Sequence, residues 1–268
     1  MKLAFTTLGN PDWSFDKTLN EAQRLGFEAI EVRGIEGKML ADDITQFFPE
    51  NQSETQRKLV EHNLVICCFG SSVSFHDSNR FDAMIEEGKI AIDICARMDI
   101  PCIRIFGDKI VNETNRSEVI RRIIYGIKKL CEHAYNKNVR VLLEVHGDFN
   151  TIENIMEVVD EVKRYPEFGI LWDVAHSDRS YGDDYMKFYS MIRPYIGHIH
   201  IKDHFRNNGK FDLCLVGKGD VPIRQIVRTL EADGFEGYLS FEWEKKWHPE
   251  LEEPEISYPA YVKYMISI

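Results

Sequence analysis

The 268-residue chain carries too little positive charge for a typical nucleic-acid-binding protein. Its 33 lysines and arginines stand against 44 aspartates and glutamates, and the formal net charge is −11. Because a phosphate backbone is bound mainly through clustered lysine and arginine, this balance predicts no nucleic-acid partner. The sequence also lacks an apolar run approaching the roughly 20 residues that span a bilayer, which predicts no membrane association.

A regular framework of cysteines is missing as well. The six cysteines form no C-x-x-C motif and most lie in apolar surroundings, so we expect buried, reduced thiols. Reduced thiols are typical of cytosolic proteins. In the opening segment MKLAFTTLG the apolar stretch is too short for a signal peptide, because polar residues follow it at once. We therefore expect a soluble, cytoplasmic protein.

No segment rich in Pro, Gly or Ser divides the chain, so we expect one domain over residues 1–268. Instead, a strand followed by a helix recurs, with strands near 3–9, 29–34, 64–70, 102–107, 140–145, 168–174, 198–203 and 238–244. Strict alternation implies parallel strands, and eight is the number at which a parallel barrel closes, in about 250 residues. The glycine motifs of nucleotide-binding open sheets are absent. The predicted fold is α/β, a single (β/α)₈ TIM barrel.

Helix boundaries can be read at several points. Ser14 is placed to cap a first helix that ends at Gly26. Ser53 and Gln56 match a capping box for the second helix. Further helices are expected over about 80–98, 117–135, after Thr151, near 184–192 and from 222 to 233.

Four late segments each read as a buried strand that ends on a side chain able to bind a divalent metal. They are VLLEVHGD (141–148), GILWDVAHSD (169–178), GHIHIKDH (197–204) and YLSFEWEK (238–245), and the candidate ligands are Glu144, Asp173, His200 and Glu242. In a (β/α)₈ barrel the carboxyl ends of the strands converge on one mouth, where active sites lie. Three carboxylates and one imidazole without a thiolate favour one catalytic Mn²⁺, Mg²⁺, Co²⁺ or Zn²⁺ ion.

Other polar residues near these strand ends are candidates for substrate contact. His146 and Lys202 share the inward parity of the neighbouring ligands, and His176 follows Asp173 by three residues. Glu31 and Arg33, at the end of the second strand, have two interpretations that stay open: they pair with each other, or they line the pocket.

Taken in order, TTLGNPDWSF, RLGFEAIEVRG, LLEVHGD, WDVAHS, HIHIKD, VGKGDVP and SFEWE resemble the xylose isomerase-like TIM barrels, and the resemblance covers essentially the whole chain. This group includes sugar phosphate isomerases, ketose 3-epimerases, inosose isomerases and dehydratases and, more distantly, endonuclease IV. The resemblance implies one divalent metal on Glu144, Asp173, His200 and Glu242. It also implies that Glu144 and Glu242 move the proton and that His176 binds substrate.

The resemblance therefore implies a metal-dependent isomerase or epimerase of a small sugar, sugar phosphate or polyol, acting through an enediolate. A lyase that dehydrates a keto-inositol or keto-sugar is the alternative, because the same intermediate can expel a hydroxyl group. A non-catalytic sugar-binding barrel is disfavoured by the intact ligand set. Self-association into a homo-oligomer is left open.

Two departures from the family bear on function. Endonuclease IV-like members carry histidines at the ends of the third and fourth strands that build a trinuclear zinc site. Here His76 comes several residues late and the fourth strand ends without a histidine. This difference disfavours a phosphodiesterase. The loop that often reads G-E-G-D in the family is G-K-G-D here, so Lys218 either favours an anionic substrate or is an exposed loop residue.

Overall fold

A computed structural model describes residues 1–110 and 115–268 of the protein. The strands are β1 (Lys2–Thr6), β2 (Ala29–Val32), β3 (Val65–Ser74), β4 (Cys102–Phe106), β5 (Arg140–Glu144), β6 (Phe168–Asp173), β7 (Ile196–Ile201), β8 (Asp203–Asn207), β9 (Lys210–Cys214) and β10 (Tyr238–Phe241). Eight of them form a closed parallel barrel in the order β1-β10-β7-β6-β5-β4-β3-β2. The predicted TIM barrel is confirmed, and β8 and β9 form a separate antiparallel hairpin.

The helices follow the barrel strands in the chain, and the last of them comes after β10. They are α1 (Phe15–Leu25), α2 (Gln52–Glu61), α3 (Phe81–Arg97), α4 (Arg116–Ala134), α5 (Ile152–Val162), α6 (Val174–Tyr181), α7 (Tyr185–Ile192), α8 (Ile223–Ala232) and α9 (Pro254–Ile266). As predicted, Ser14 caps α1 by accepting a hydrogen bond from the Lys17 N–H at 3.2 Å, and Gly26 ends it in the left-handed region. Among the helices of the described ranges, none is both long and apolar enough to cross a bilayer.

Some local predictions differ from the structure. Helix α2 follows Asn51 without a side-chain cap, so the capping box at Ser53 is wrong. Helix α6, helix α9 and the hairpin were not predicted. Helix α6 is short and starts directly from Asp173, which the sequence marks as a ligand, while α9 contains Pro259 and lacks a clear apolar stripe.

The apolar core lies mainly between the strands and the surrounding helices, and its largest buried side chains include Trp172, Phe241 and Tyr258. Inside the barrel, a smaller cluster contains Cys68, Cys102, Leu142 and Leu171. All six cysteines are free and buried, as expected. Toward the carboxyl ends of the strands, the interior changes from small apolar side chains to buried charged ones.

Candidate active site

The four predicted metal ligands come together at the mouth of the barrel. Glu144 and Asp173 end β5 and β6, His200 lies within β7, and Glu242 directly follows β10. All four side chains are buried, and each offers one ligand atom that lies within 4.8 Å of the other three. Three carboxylates and an imidazole at this separation make a donor set suited to one divalent cation.

The imidazole of His200 supports this interpretation. Its Nδ1 atom lies 3.4 Å from Glu242 Oε1, 3.5 Å from Glu144 Oε1 and 3.9 Å from Asp173 Oδ2. Although Nδ1 is buried, it has no hydrogen-bond partner within the described part of the chain. Buried polar atoms are nearly always satisfied, so an unsatisfied nitrogen facing three carboxylates fits a metal position.

Each glutamate divides its two carboxylate oxygens between the cluster and a buried cation. Glu144 turns Oε1 toward His200 and accepts a hydrogen bond on Oε2 from Arg104 Nη1 at 2.6 Å. Glu242 likewise turns Oε1 toward the cluster and receives Lys202 Nζ on Oε2 at 2.6 Å. The cations therefore orient the inner oxygens, as groups around metal ligands commonly do.

Asp173 uses backbone donors for the same purpose. Its Oδ1 atom accepts hydrogen bonds from the N–H groups of Ala175 at 2.8 Å and His176 at 3.0 Å, which caps helix α6. Its Oδ2 atom faces the cluster and lies 2.9 Å from Lys202 Nζ. The helix that begins immediately after β6 thus sets the orientation of this ligand.

Glu31, on β2, contacts the ring nitrogen of His200 that faces away from the cluster. Both Glu31 oxygens lie 3.0 Å from His200 Nε2, and Oε2 also accepts hydrogen bonds from His198 Nε2 and Ser240 Oγ, each at 2.8 Å. A proton on His200 Nε2 that is donated to Glu31 leaves the Nδ1 lone pair free to face the cluster. The alternative that Glu31 pairs with Arg33 is therefore wrong.

The pKa values reflect a concentration of negative charge. Burial would raise the pKa of Glu144, but Arg104 and His200 outweigh it and lower that pKa below its ordinary value. Burial alone would lower the pKa of His200, yet the carboxylates of Glu242 and Glu31 raise it well above the usual range. A divalent cation would neutralise this excess of negative charge.

A second buried group of potential ligands consists of Glu31, Cys68 and His198. The oxygens of Glu31 already accept hydrogen bonds from two histidines and a serine. Burial, with a neighbouring thiol, also raises the pKa of Cys68 well above its ordinary value, so the thiolate needed for coordination is disfavoured. This group therefore supports the first cluster and is a poor second metal site.

The three predicted substrate-binding residues all line the cleft above the cluster. His146 and His176 lie side by side with ring centroids 4.3 Å apart. Lys202 also points inward, but it contacts the carboxylates of Asp173, Glu242 and Glu244. The structure thus places these residues at the site, and their contact with substrate stays a prediction.

The cleft has the mixed polar and apolar lining of a small-molecule site. Its cavity volume is about 100 Å³, which is below the roughly 300–1,000 Å³ typical of ligand pockets, so it suits only a small substrate. Leu8, Phe106 and the half-exposed Trp247 supply apolar surface, and Arg33 closes one side. Lys218 is exposed and is absent from this lining, in agreement with its interpretation as a loop residue.

Sequence reasoning missed Arg104 and Glu244. Arg104 has the same inward parity as Cys102 and Phe106 in the strand CIRIF, so strand alternation was a usable signal. Glu244 lies two residues beyond Glu242 and reaches Lys202 Nζ at 2.6 Å. Neither pairing could be assigned before the strand ends were placed beside one another.

Comparison with known proteins agrees with this architecture. The family model described as xylose isomerase-like TIM barrel matches residues 19–259. The chain belongs to this family. A curated relative, fructoselysine 3-epimerase from Shigella flexneri, is 22% identical over 252 residues, which cover 90% of each protein.

Solved structures share the fold at low sequence identity. The probable 3-DHS dehydratase AsbF from Bacillus anthracis superimposes with a TM-score of 0.77 at 20% identity and covers 99% of both chains. The IOLI protein with a bound zinc atom gives a TM-score of 0.79 at 18% identity, covering 100% of this chain and 97% of the other. Proteins of this fold thus include an epimerase, a probable dehydratase and a protein whose structure holds zinc.

Proposed function

We propose that this protein is a divalent-metal-dependent isomerase or epimerase of a small sugar, sugar phosphate or polyol. The observation that carries the proposal is the shared orientation of Glu144 and Glu242, which turn one oxygen each toward a position completed by Asp173 and His200. These residues would hold the metal ion. The similarity to a sugar 3-epimerase supports the reaction type.

A bound divalent ion would supply positive charge that stabilises an enediolate formed from adjacent carbonyl and hydroxyl groups. One glutamate accepts the proton from the carbon that bears the hydroxyl, and the C–H electron pair enters the new carbon–carbon double bond. The other glutamate returns a proton to the opposite face of that carbon and inverts it. Return of the proton to the former carbonyl carbon would give isomerisation instead.

The cations on the outer oxygens support different roles for the two glutamates. The guanidinium of Arg104 does not release its proton, so Glu144 stays an ionised carboxylate suited to proton abstraction. Lys202 Nζ lies 2.6 Å from Glu242 Oε2. Burial would lower the pKa of Lys202, but the carboxylates of Asp173, Glu242 and Glu244 raise it well above its ordinary value, so this ammonium keeps its proton in the resting site. Unlike a guanidinium, it can pass that proton along the hydrogen bond when Glu242 gives its own proton to the substrate. We therefore assign abstraction to Glu144 and proton return to Glu242 with Lys202 behind it, for one of the two epimers.

Solvent-exchange experiments test this function directly. Metal-loaded protein in D₂O would be incubated with a panel of ketoses and inososes, and deuterium incorporation and inversion followed by NMR. We expect incorporation at the carbon next to the carbonyl group in at least one compound, with formation of its epimer or isomer. No incorporation into any member of a broad panel would contradict the proposal.

Two amide variants separate the roles of the glutamates. Glu144→Gln and Glu242→Gln should each lower turnover by about 10²- to 10⁴-fold, because an amide cannot accept the proton. For the epimer from which Glu144 abstracts, Glu144→Gln should stop exchange, whereas Glu242→Gln should permit exchange without inversion. Glu236→Gln, an exposed residue before β10, is the control and should behave as wild type. Normal epimerisation by both active-site variants would refute the two-glutamate mechanism.

A metal-dependent lyase is the second candidate, and the Lys202–Glu242 contact is the observation that favours it. If the enediolate carries a β-hydroxyl group, the electron pair can expel it as Lys202 or Glu242 protonates the leaving oxygen, which releases water. Exchange accompanied by loss of one water from the product, measured by mass spectrometry, would select the lyase over the epimerase.

A further inference from the structure

Arg33 differs from the other buried basic side chains of the described residues. The buried lysine and arginine residues are Arg33, Arg104 and Lys202. Arg104 and Lys202 each form an ion pair with a carboxylate at 2.6 Å. Arg33 forms no ion pair within the described ranges. Because buried charges are normally paired, this guanidinium lacks a counter-ion that the site would be expected to provide.

The guanidinium of Arg33 is held in place but only partly satisfied. Its Nη2 atom donates to Ser72 Oγ at 3.0 Å, while Nη1 is buried and has no hydrogen-bond partner in the part of the chain that the structure describes. The side chain lines the cleft together with Glu144, His176 and Glu242. An unsatisfied donor thus lies at the wall of the candidate active site.

Gly70, in the middle of β3, makes room for this arginine. A Cβ atom on Gly70 would lie 2.9 Å from both Arg33 Cδ and Arg104 Nη2, so a side chain at this position would displace both. With glycine there, two guanidinium groups approach the mouth from β2 and β4, on the side opposite β7. Burial and the nearby Arg104 charge lower the pKa of Arg33 to about 10, which still leaves it charged at neutral pH.

The charges around the cleft are balanced except at Arg33. Arg33, Arg104 and Lys202 line the cleft with three carboxylates, those of Glu144, Glu242 and Glu244. Asp173 adds one negative charge next to Lys202. A divalent ion on the ligand cluster would offset the charge of its own ligands, and Arg33 is the cation there that has no carboxylate of its own.

We propose that Arg33 binds an anionic group of the substrate, a carboxylate or a phosphate, so that the natural substrate is a sugar acid or a sugar phosphate. The anion would lie near β2 and β3, while the reacting carbonyl and hydroxyl groups face Glu144 and Glu242. The proposal rests on the function proposed above and names the substrate class of the same site. A planar guanidinium with a free edge suits both anions.

Matched pairs of probes test this proposal by isothermal titration calorimetry of the metal-loaded protein at constant ionic strength. D-gluconate and D-sorbitol differ in a carboxylate, and D-fructose 6-phosphate and D-fructose differ in a phosphate. We expect wild type to bind the anionic member of at least one pair 10-fold or more tightly, which corresponds to about 1.4 kcal/mol. The pair that shows the preference identifies the anion.

Variants assign the preference to Arg33. Arg33→Met should abolish it, and Arg33→Lys, which keeps the charge but loses the planar fork, should keep part of it. Arg140→Met is the control, because Arg140 lies at the start of β5, at the opposite end of the barrel, and donates to the Phe168 carbonyl at 2.9 Å. If Arg33→Met does not fold by circular dichroism, Arg33→Lys decides: a preference equal to wild type would overturn the assignment to the guanidinium fork.

The proposal fails if wild type binds both members of each pair equally, or if Arg33→Met keeps a 10-fold preference. Failure of the proposed function looks different. Deuterium exchange into neutral ketoses without any anion preference would overturn only the role of Arg33. An Arg33-dependent anion preference without exchange into any sugar, sugar acid or sugar phosphate would overturn only the isomerase or epimerase function.

Discussion

The carboxylates of the candidate metal cluster each have one oxygen directed inward and one held from outside. For Glu144 and Glu242 the outer partners are Arg104 and Lys202, and for Asp173 they are backbone N–H groups of helix α6. This division restricts the rotation of each carboxylate. The inner oxygens therefore keep their positions without requiring a bound ion to organise them.

Replacement of Glu31 by glutamine should weaken metal binding while leaving the barrel folded. The amide has nearly the same shape, but it lacks the charge and donates through its NH₂ group toward His198 or His200, both of which already donate to Glu31. We expect the metal affinity to fall by about 10- to 100-fold. Competition with a chromophoric chelator would measure this change, and circular dichroism would report the fold.

Ser240→Ala is the matched control for this change. It removes the 2.8 Å hydrogen bond to Glu31 Oε2 but leaves the Glu31 charge and both histidine contacts. The metal affinity of this variant should remain within a few-fold of wild type. If Glu31→Gln binds metal as tightly as Ser240→Ala does, Glu31 has no role in orienting His200.

At the level of secondary-structure elements, the hairpin β8–β9 is attached to helix α6 by one carboxylate. Asp178 Oδ2 lies 2.9 Å from His204 Nε2, and both Asp178 oxygens accept hydrogen bonds from Arg206. Asp203, the residue before His204, accepts hydrogen bonds from the backbone N–H groups of Gly217 and Gly219. The hairpin and the following loop are thus held against the barrel mostly by polar contacts.

Loss of the Asp178 charge should loosen the hairpin. Asp178→Asn leaves Arg206 without its best partner, and we expect a loss of about 1–3 kcal/mol in local stability. Limited trypsin digestion should show faster cleavage at the exposed Lys210 than in wild type. Asp183 supplies the other carboxylate that contacts Arg206, and its side chain is 84% exposed. Asp183→Asn should therefore change cleavage little. Equal cleavage rates in all three proteins would contradict the role of Asp178.

The same contact should depend on pH in a defined direction. Burial would raise the pKa of Asp178, but His204 and Arg206 outweigh it and lower that pKa below the ordinary value of about 3.9. The stabilisation is therefore fully present above about pH 4 and is lost as the pH falls through the lower, folded-state pKa. Hydrogen exchange of the hairpin amides, corrected for intrinsic rates, should show that protection falls as the pH is lowered below about 4, and the protection of Asp178→Asn should change less over that range.

At the level of the whole molecule, the barrel mouth has two chemically different sides. The ligand cluster comes from β5, β6, β7 and the residue after β10, whereas Arg33 directly follows β2 and Arg104 lies in β4. His76, the histidine nearest the end of β3, contacts Ser74 and Asp108 and does not join the cluster. Within the described residues this arrangement favours a single ion and a small substrate over the trinuclear site of a phosphodiesterase.

The purified protein should therefore hold about one divalent ion per chain. Elemental analysis after dialysis measures this directly, and three zinc ions per chain would restore the phosphodiesterase interpretation. Removal of the ion with a chelator should preserve the far-ultraviolet spectrum, because hydrogen bonds between strands close the barrel. Metal at 100 times its Kd should add about 2.7 kcal/mol to stability and raise the Tm by several degrees.

The sequence alone determined the barrel and the four residues that meet at its mouth. Alternating strands and helices restrict the chain to few topologies, and parity along each strand selects the inward residues Glu144, Asp173 and His200. Both signals are local and repeat along the chain. The sequence did not predict α6, α9 or the β8–β9 hairpin. The apolar periodicity of α9 is weak, and α6 starts directly after Asp173, which the sequence indicates as a metal ligand.

The tertiary structure decided which charged groups meet. Glu31 precedes His198 by 167 residues, and only closure of the barrel brings β2 to face β7 across its interior. The same closure pairs Arg104 with Glu144 and leaves Arg33 without a carboxylate. Partner choice depends on distances of a few ångströms between separate strands, and neither residue type nor strand parity contains that information.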